Sequence, residues 1–193
     1  MTEITFRWSG AVLIIGAVLL GAAIVNISLK PVMNQPFSPG VSLLLLLSSI
    51  ALLLSLPAVY ARQAGAAGWL GLAGHALLQT GILLLVVVAS VPLAYPSINV
   101  APGESAVAFG LGIALTVGLL LTGIATIRAD VFPRWAGFLL LAATAGFFFD
   151  FFIAEFLPPV TGQIGSAIFG ILLALALAGM GYALWIGRLG PAA

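Results

Sequence analysis

One carboxylate, Asp150, stands among five phenylalanines in FFFDFF, residues 147–152. In a medium of low dielectric a carboxylate must be protonated or paired. Asp150 is therefore a candidate for a proton relay or for coupling a small solute to a proton, with Asn26 and Gln79 as intramembrane polar companions. The competing expectation is a structural hydrogen bond. Stepping ~100° per residue along a helix puts Asp150 on one face with Ala136, Ala143 and Ala154, the small-residue side that turns into a bundle. A rise of ~1.5 Å per residue sets it ~22 Å from Trp135. Glu155 lies close to the outer surface, where it is the easier partner for Lys30.

A second group is built on His75. Gly68, Gly71, His75 and Gln79 share a helix face, and Met180 lies between Gly179 and Gly181 at a similar depth, both ~8–9 Å inside a tryptophan. A histidine and a methionine flanked by glycines are the parts of an axial pair on haem, and His75 alone is enough to ligate a chlorophyll-type pigment. The plainer alternative is a neutral imidazole hydrogen-bonded to a neighbouring helix, with Gln79 as further polar glue. The chain has one histidine and no cysteine, and no haem-attachment motif is present. The expectation is thus no cofactor and no metal, with haem or a chlorophyll-type pigment as the alternative. Serines lack a nucleophile elbow, no two carboxylates share a face, and no phosphate-cradling glycine loop appears. No catalytic residues and no enzymatic activity are expected.

The elements that must position these groups follow from composition. Hydrophobic residues make up 63% of the 193 and charged ones 6%, against ~25% charged in a soluble domain, which marks an integral membrane protein. A net charge of +1 offers no basic surface to nucleic acid. Six apolar runs, each near the ~20 residues a helix needs to cross a bilayer, cover about 8–29, 41–60, 69–93, 105–127, 135–157 and 163–186. The first is too long for a signal peptide and reads as a retained span. Short turns rich in Gly and Pro separate the runs, so residues 1–193 read as a single transmembrane domain. The expected fold is all-α, a polytopic bundle of six transmembrane helices. Trp8, Trp69 and Trp135 each precede a glycine by two positions, which suggests three tandem helical hairpins.

Basic residues near span ends prefer the cytoplasm. With the N-terminus inside, Arg7, Arg62, Arg128, Arg134 and Arg188 are all inside and only Lys30 is outside. Trp8, Trp69, Trp135 and Trp185 then share the inner boundary, so both termini are expected in the cytoplasm. Stripes of small residues are expected to bring helices together: Gly10, Ala17 and Gly21 in the first span, Gly110, Ala114, Gly118 and Thr122 in the fourth, Ala167, Gly170, Ala174 and Gly181 in the sixth. The second span, with LLLLL at 43–47, is expected to face lipid more and to kink at Pro57.

The passages YARQAGAAGWLGLAG (60–74) and FPRWAGFLLLAA (132–143) resemble those of small, uncharacterised multi-spanning bacterial membrane proteins. The resemblance implies a multi-pass protein of the bacterial cytoplasmic (inner) membrane and no activity. The leading expectation is a non-catalytic structural or accessory subunit that packs against other transmembrane proteins or holds lipid or an apolar ligand. The alternatives are a small solute or proton-coupled carrier using Asp150, and a tetrapyrrole-binding electron-transfer or light-harvesting subunit using His75.

Overall fold

The structure, a computed structural model, describes residues 2–28, 38–95, 106–152 and 159–187, without the side chains of 150–152 and 159–163. Five helices account for nearly all of them: α1 (Glu3–Ser28), α2 (Pro39–Ala94), α3 (Ala106–Ala129), α4 (Arg134–Phe152) and α5 (Pro159–Ile186). Four helical stretches are long and apolar enough to cross a membrane, Glu3–Ser28, Pro39–Ala94, Ala106–Ala129 and Ile164–Ile186, while the apolar stretch Arg134–Phe149 of α4 is shorter.

The expected count of six helices is corrected to five, because the second and third runs belong to one element. Helical backbone continues from Tyr60 through Ala61, Ala64, Ala66 and Ala67, residues of the highest helix propensity, where a loop was expected. The only residue of α2 with non-helical dihedrals is Gly68, at φ 57° and ψ −148°. The chain reverses there. The ring of Tyr60 stacks on His75, with centroids 4.9 Å apart, and the Gln79 amide reaches the Leu53 carbonyl at 3.5 Å. Both pairs bridge the break at Gly68 from either side, so the arms 39–67 and 69–94 lie antiparallel. A Cβ on Gly71 would fall 2.5 Å from that of Ala67, which keeps the reversal tight. Pro57 stays inside the helix, and the residue at which the helical dihedrals break is Gly68.

The helices pack in chain order, and α5 returns to α1 to close the ring. Each seam carries a glycine where backbones or rings approach. Gly10 meets Gly181 between α1 and α5, Gly16 meets Ala51 between α1 and the first arm of α2, and Gly74 and Gly118 join the second arm to α3. Between α3 and α4 the pair is Gly123 and Gly137, and between α4 and α5 the Phe169 ring fills the space over Gly146. Without a hydrophobic drive in lipid, such approaches are what hold helices together. Leu13, Leu56, Leu119, Leu140, Met180 and Leu184 form the fully buried centre.

The first arm of α2 is not the lipid-facing helix expected from LLLLL. Ser42, Ser48, Ser49 and Ser55 are completely buried on one side of it, while Leu43, Leu47, Ile50 and Leu54 point outward. Serine serves there as the small residue of the seam. Three of the four hydroxyls return to the helix's own carbonyls, Ser48 Oγ donating to Leu45 O at 2.9 Å, Ser49 Oγ to Leu45 O at 2.6 Å and Ser55 Oγ to Ala51 O at 2.8 Å, which removes the cost of a bare polar group. The Ser42 hydroxyl is buried without a partner among the described residues.

Between α3 and α4 the chain turns through Asp130, which takes a left-handed φ of 51°, a conformation Asp tolerates better than most residues. Its carboxylate accepts from Arg134 Nε at 2.8 Å and from Nη2 at 3.1 Å. Phe132, 2% exposed, plugs the bundle beneath this clamp.

Candidate functional site

The candidate residues fall into three places. Asp150 lies in the last turn of α4, but its side chain is not among the described ones, and Lys30 and Glu155 lie outside the described residues altogether. Asn26 is exposed, on the same outward stripe of α1 as Ile15, Val18 and Ala22. Eighteen residues beyond Trp8, it sits ~27 Å along the helix, a depth at which an amide meets the polar edge of a bilayer.

The second place is the seam between the arms of α2. Here His75 and Gln79 stand one helical turn apart on the face that meets the first arm. His75 is half-buried against the Tyr60 ring, the planes 18° apart. Gln79 Nε2 donates to the carbonyl of Leu53. That carbonyl is the one whose intrahelical donor would be the N–H of residue 57, and residue 57 is proline. Gln79 thus supplies a hydrogen bond that the sequence of the first arm removes.

Met180 is engaged elsewhere, 1% exposed in the centre of the bundle. The glycines expected to open space beside it are filled: the Trp135 indole lies over Gly179, and Gly181 abuts the backbone of Gly10. The helices carrying His75 and Met180, α2 and α5, are not a major packing pair. The structure does not bring the two side chains together as a facing pair. Among the described residues, no group of three or more His, Cys, Asp or Glu side chains has the arrangement to hold a metal ion.

A polar contact that the sequence reading missed joins α2 to α3. Gln63, 3% exposed, donates from Nε2 to Thr126 Oγ1 at 3.0 Å, and Thr126 Oγ1 donates to Thr122 O at 2.8 Å. Gln63 falls between the apolar runs 41–60 and 69–93, where the sequence points to a turn. The available signal was the alanine-rich composition around it, which carries the helix past the membrane run and turns residue 63 inward.

The third place is the end of the bundle that carries the tryptophans. Trp8 and Trp185 line one open-sided groove of about 270 Å³ with Ile4 and Arg7. Arg7 approaches Glu3 at 3.8 Å with both side chains largely exposed, beyond hydrogen-bond reach. The Arg62 guanidinium lies 5.6 Å above the Phe6 ring, a cation–π contact that brings a second cation to the same end of α1. Trp8 is 68% exposed and Trp185 47%.

Neither a protein-family model, nor a curated protein, nor a solved structure matches this chain.

Proposed function

We propose that this chain is a non-catalytic integral membrane protein, a structural or accessory subunit that acts through its outer surface on other transmembrane proteins or on apolar molecules. The observation that carries this reading is how the interior is filled. Glycines at each seam admit a neighbouring backbone or ring, and the buried serines of α2 mostly bond to their own helix. Large apolar side chains such as Leu54, Leu83, Phe109 and Phe138 stand outward. Such a bundle offers its chemistry to the surroundings, because van der Waals packing against lipid and other helices is what an apolar exterior can do.

Six membrane crossings belong to the same proposal. The two arms of α2 run antiparallel, and each, at ~1.5 Å per residue, exceeds the ~30 Å hydrocarbon layer. They pair with α1 and with α3, and α4 pairs with α5, the arrangement of three successive hairpins. Arg7, Arg62 and three of the tryptophans stand at one end of the bundle, and Trp69 adjoins the reversal at Gly68. That asymmetry supports a cytoplasmic location for this end and for both termini in a bacterial cytoplasmic membrane.

The test is gentle solubilisation of native membranes followed by identification of every protein and lipid that co-purifies. A stoichiometric transmembrane partner or tightly held apolar ligand is expected. The reading is abandoned if the purified chain moves a solute across liposomes and Asp150→Asn abolishes the movement.

A further inference from the structure

We infer that the groove between the start of α1 and the end of α5 is a binding site for the phosphodiester headgroup of an anionic phospholipid. The inference rests on the proposal that the bundle crosses a bilayer with its tryptophan end at the boundary.

Four features of the groove agree on this occupant. Its wall is two indoles and Ile4, surfaces that suit the upper part of an acyl chain and the glycerol region, where tryptophan is favoured. Its cation is Arg7, whose planar fork of N–H donors matches phosphate geometry better than a lysine would. The nearest acid leaves that fork available: Glu3 stands 3.8 Å away, and the two side chains are 80% and 58% exposed, so their attraction is screened by water and salt. Among the described residues, the Arg7 side chain makes no hydrogen bond. The volume, about 270 Å³, is smaller than the ~300–1,000 Å³ typical of an enclosed small-molecule site, and the groove is open on one side, as a headgroup with its tails in the bilayer requires.

Charge selects an anionic lipid over a zwitterionic one. Arg62, held over Phe6, adds a second positive charge beside the first turns of α1. Across the described residues of this end, Arg7, Arg62, Arg128 and Arg134 face only Glu3 and Asp130, and Asp130 is already clamped to Arg134. A phosphatidylcholine brings its own cation into this field, whereas a phosphatidylglycerol does not.

The full chain, purified in mild detergent, is incubated with phosphatidylglycerol or phosphatidylcholine, and retained lipid is counted by native mass spectrometry. Phosphatidylglycerol should be retained in preference to phosphatidylcholine. Arg7→Gln should weaken retention about tenfold, the equivalent of one charge-assisted hydrogen bond, and Trp185→Leu should also weaken it. Arg128→Gln, which removes an exposed cation of the same end that does not line the groove, should weaken retention less than Arg7→Gln. Equal retention of the two lipids, no retention, or an equal loss with Arg128→Gln would overturn the site. A parallel alkaline carbonate wash of membranes separates the two failures. A chain that stays in the membrane but holds no phosphatidylglycerol refutes only this site, and one that is washed out refutes the membrane reading beneath it.

Discussion

Gln79 gives the Leu53 carbonyl the hydrogen-bond donor that Pro57 cannot provide. The contact is long, 3.5 Å, but its place is informative: proline lacks the N–H that would reach residue 53 and its ring pushes that carbonyl off the helix axis. In lipid a bare carbonyl is costly. The second arm of α2 therefore repairs the first, and an amide that looked like a transport companion of Asp150 has a structural partner of its own.

Gln79→Leu should accordingly lower stability by ~1 kcal/mol, the scale of an interhelical hydrogen bond in a membrane protein. The loss should shrink in a Pro57→Ala background, where residue 57 regains its N–H and the carbonyl is satisfied within the helix. Unfolding of the four proteins in detergent, compared as a double-mutant cycle, measures this coupling. Strictly additive effects would mean that Gln79 does not serve the carbonyl freed by proline.

The reversal of α2 places a sharper demand on Gly68. Its φ of 57° and ψ of −148° fall in a region that is essentially closed to residues with a Cβ, at a cost of order 1–3 kcal/mol. Nothing lies within 4 Å of where that Cβ would be, so the penalty is conformational and not a clash. Gly68→Ala should lower the midpoint of thermal unfolding. Gly65→Ala, three residues earlier with equally open space and helical backbone, should leave the midpoint unchanged or raise it, with a gain in stability of up to ~1 kcal/mol.

These two sites mark what could be read from the chain itself. The membrane class, the apolar runs and most seams follow from composition and from glycine spacing, and Gly10, Gly118 and Gly181 pack where their stripes implied. The reversal falls at the end of the turn read between residues 60 and 69, but the helical continuation of the first arm through Ala67 escaped notice, because hydropathy fades over Ala61 to Ala67 while helix propensity does not. The serine face of α2 was hidden by the five neighbouring leucines, of which Leu43 and Leu47 point outward while Leu45 joins the core. Pairing of His75 with Tyr60, and of Gln63 with Thr126, depends on helix rotation, which the sequence of one helix does not specify.

The Gln63–Thr126 bond ties the end of the first α2 arm nearest Gly68 to α3, and both partners are buried, at 3% and 0% exposed. Gln63→Leu removes the amide but leaves Thr126 donating to Thr122 O, so no new orphan is made on α3. A loss of ~0.5–1.5 kcal/mol is expected. Thr126→Val should cost more than Gln63→Leu, because it leaves the Gln63 amide buried without an acceptor. Detergent unfolding of both variants checks the order, and the reverse order would show that the amide finds another partner.

Closure of the ring depends on Gly10 and Gly181, where each residue faces backbone. A Cβ on Gly10 would lie 2.5 Å from Gly181 O and 2.8 Å from the Trp185 nitrogen. Backbone atoms cannot rotate away, so α1 and α5 would have to separate. Gly10→Val should therefore cost at least the ~1–3 kcal/mol of an overpacked core and should raise exchange of amide hydrogens in α5. Gly110→Val, where the nearest atom is a leucine methyl at 3.7 Å, is the matched control and should be mild. Similar effects at the two positions would deny that the α1–α5 seam is the tight one.

The absence of cysteine from the chain makes its threading directly measurable, since a single introduced thiol is the only one. Gly65→Cys sits beside the α2 reversal in open space, and Tyr95→Cys, at a position 59% exposed, caps the opposite end of the second arm. With the arginine-rich end in the cytoplasm, as the positive-inside preference requires, an impermeant maleimide added to intact cells should label residue 95 and reach residue 65 only after permeabilisation. Labelling of both from outside would mean that the arms of α2 do not cross the bilayer. The inverse pattern would turn the bundle over and bring Arg7, Trp8 and Trp185 to the outer leaflet, where the lipid proposed for their groove would have to be found instead.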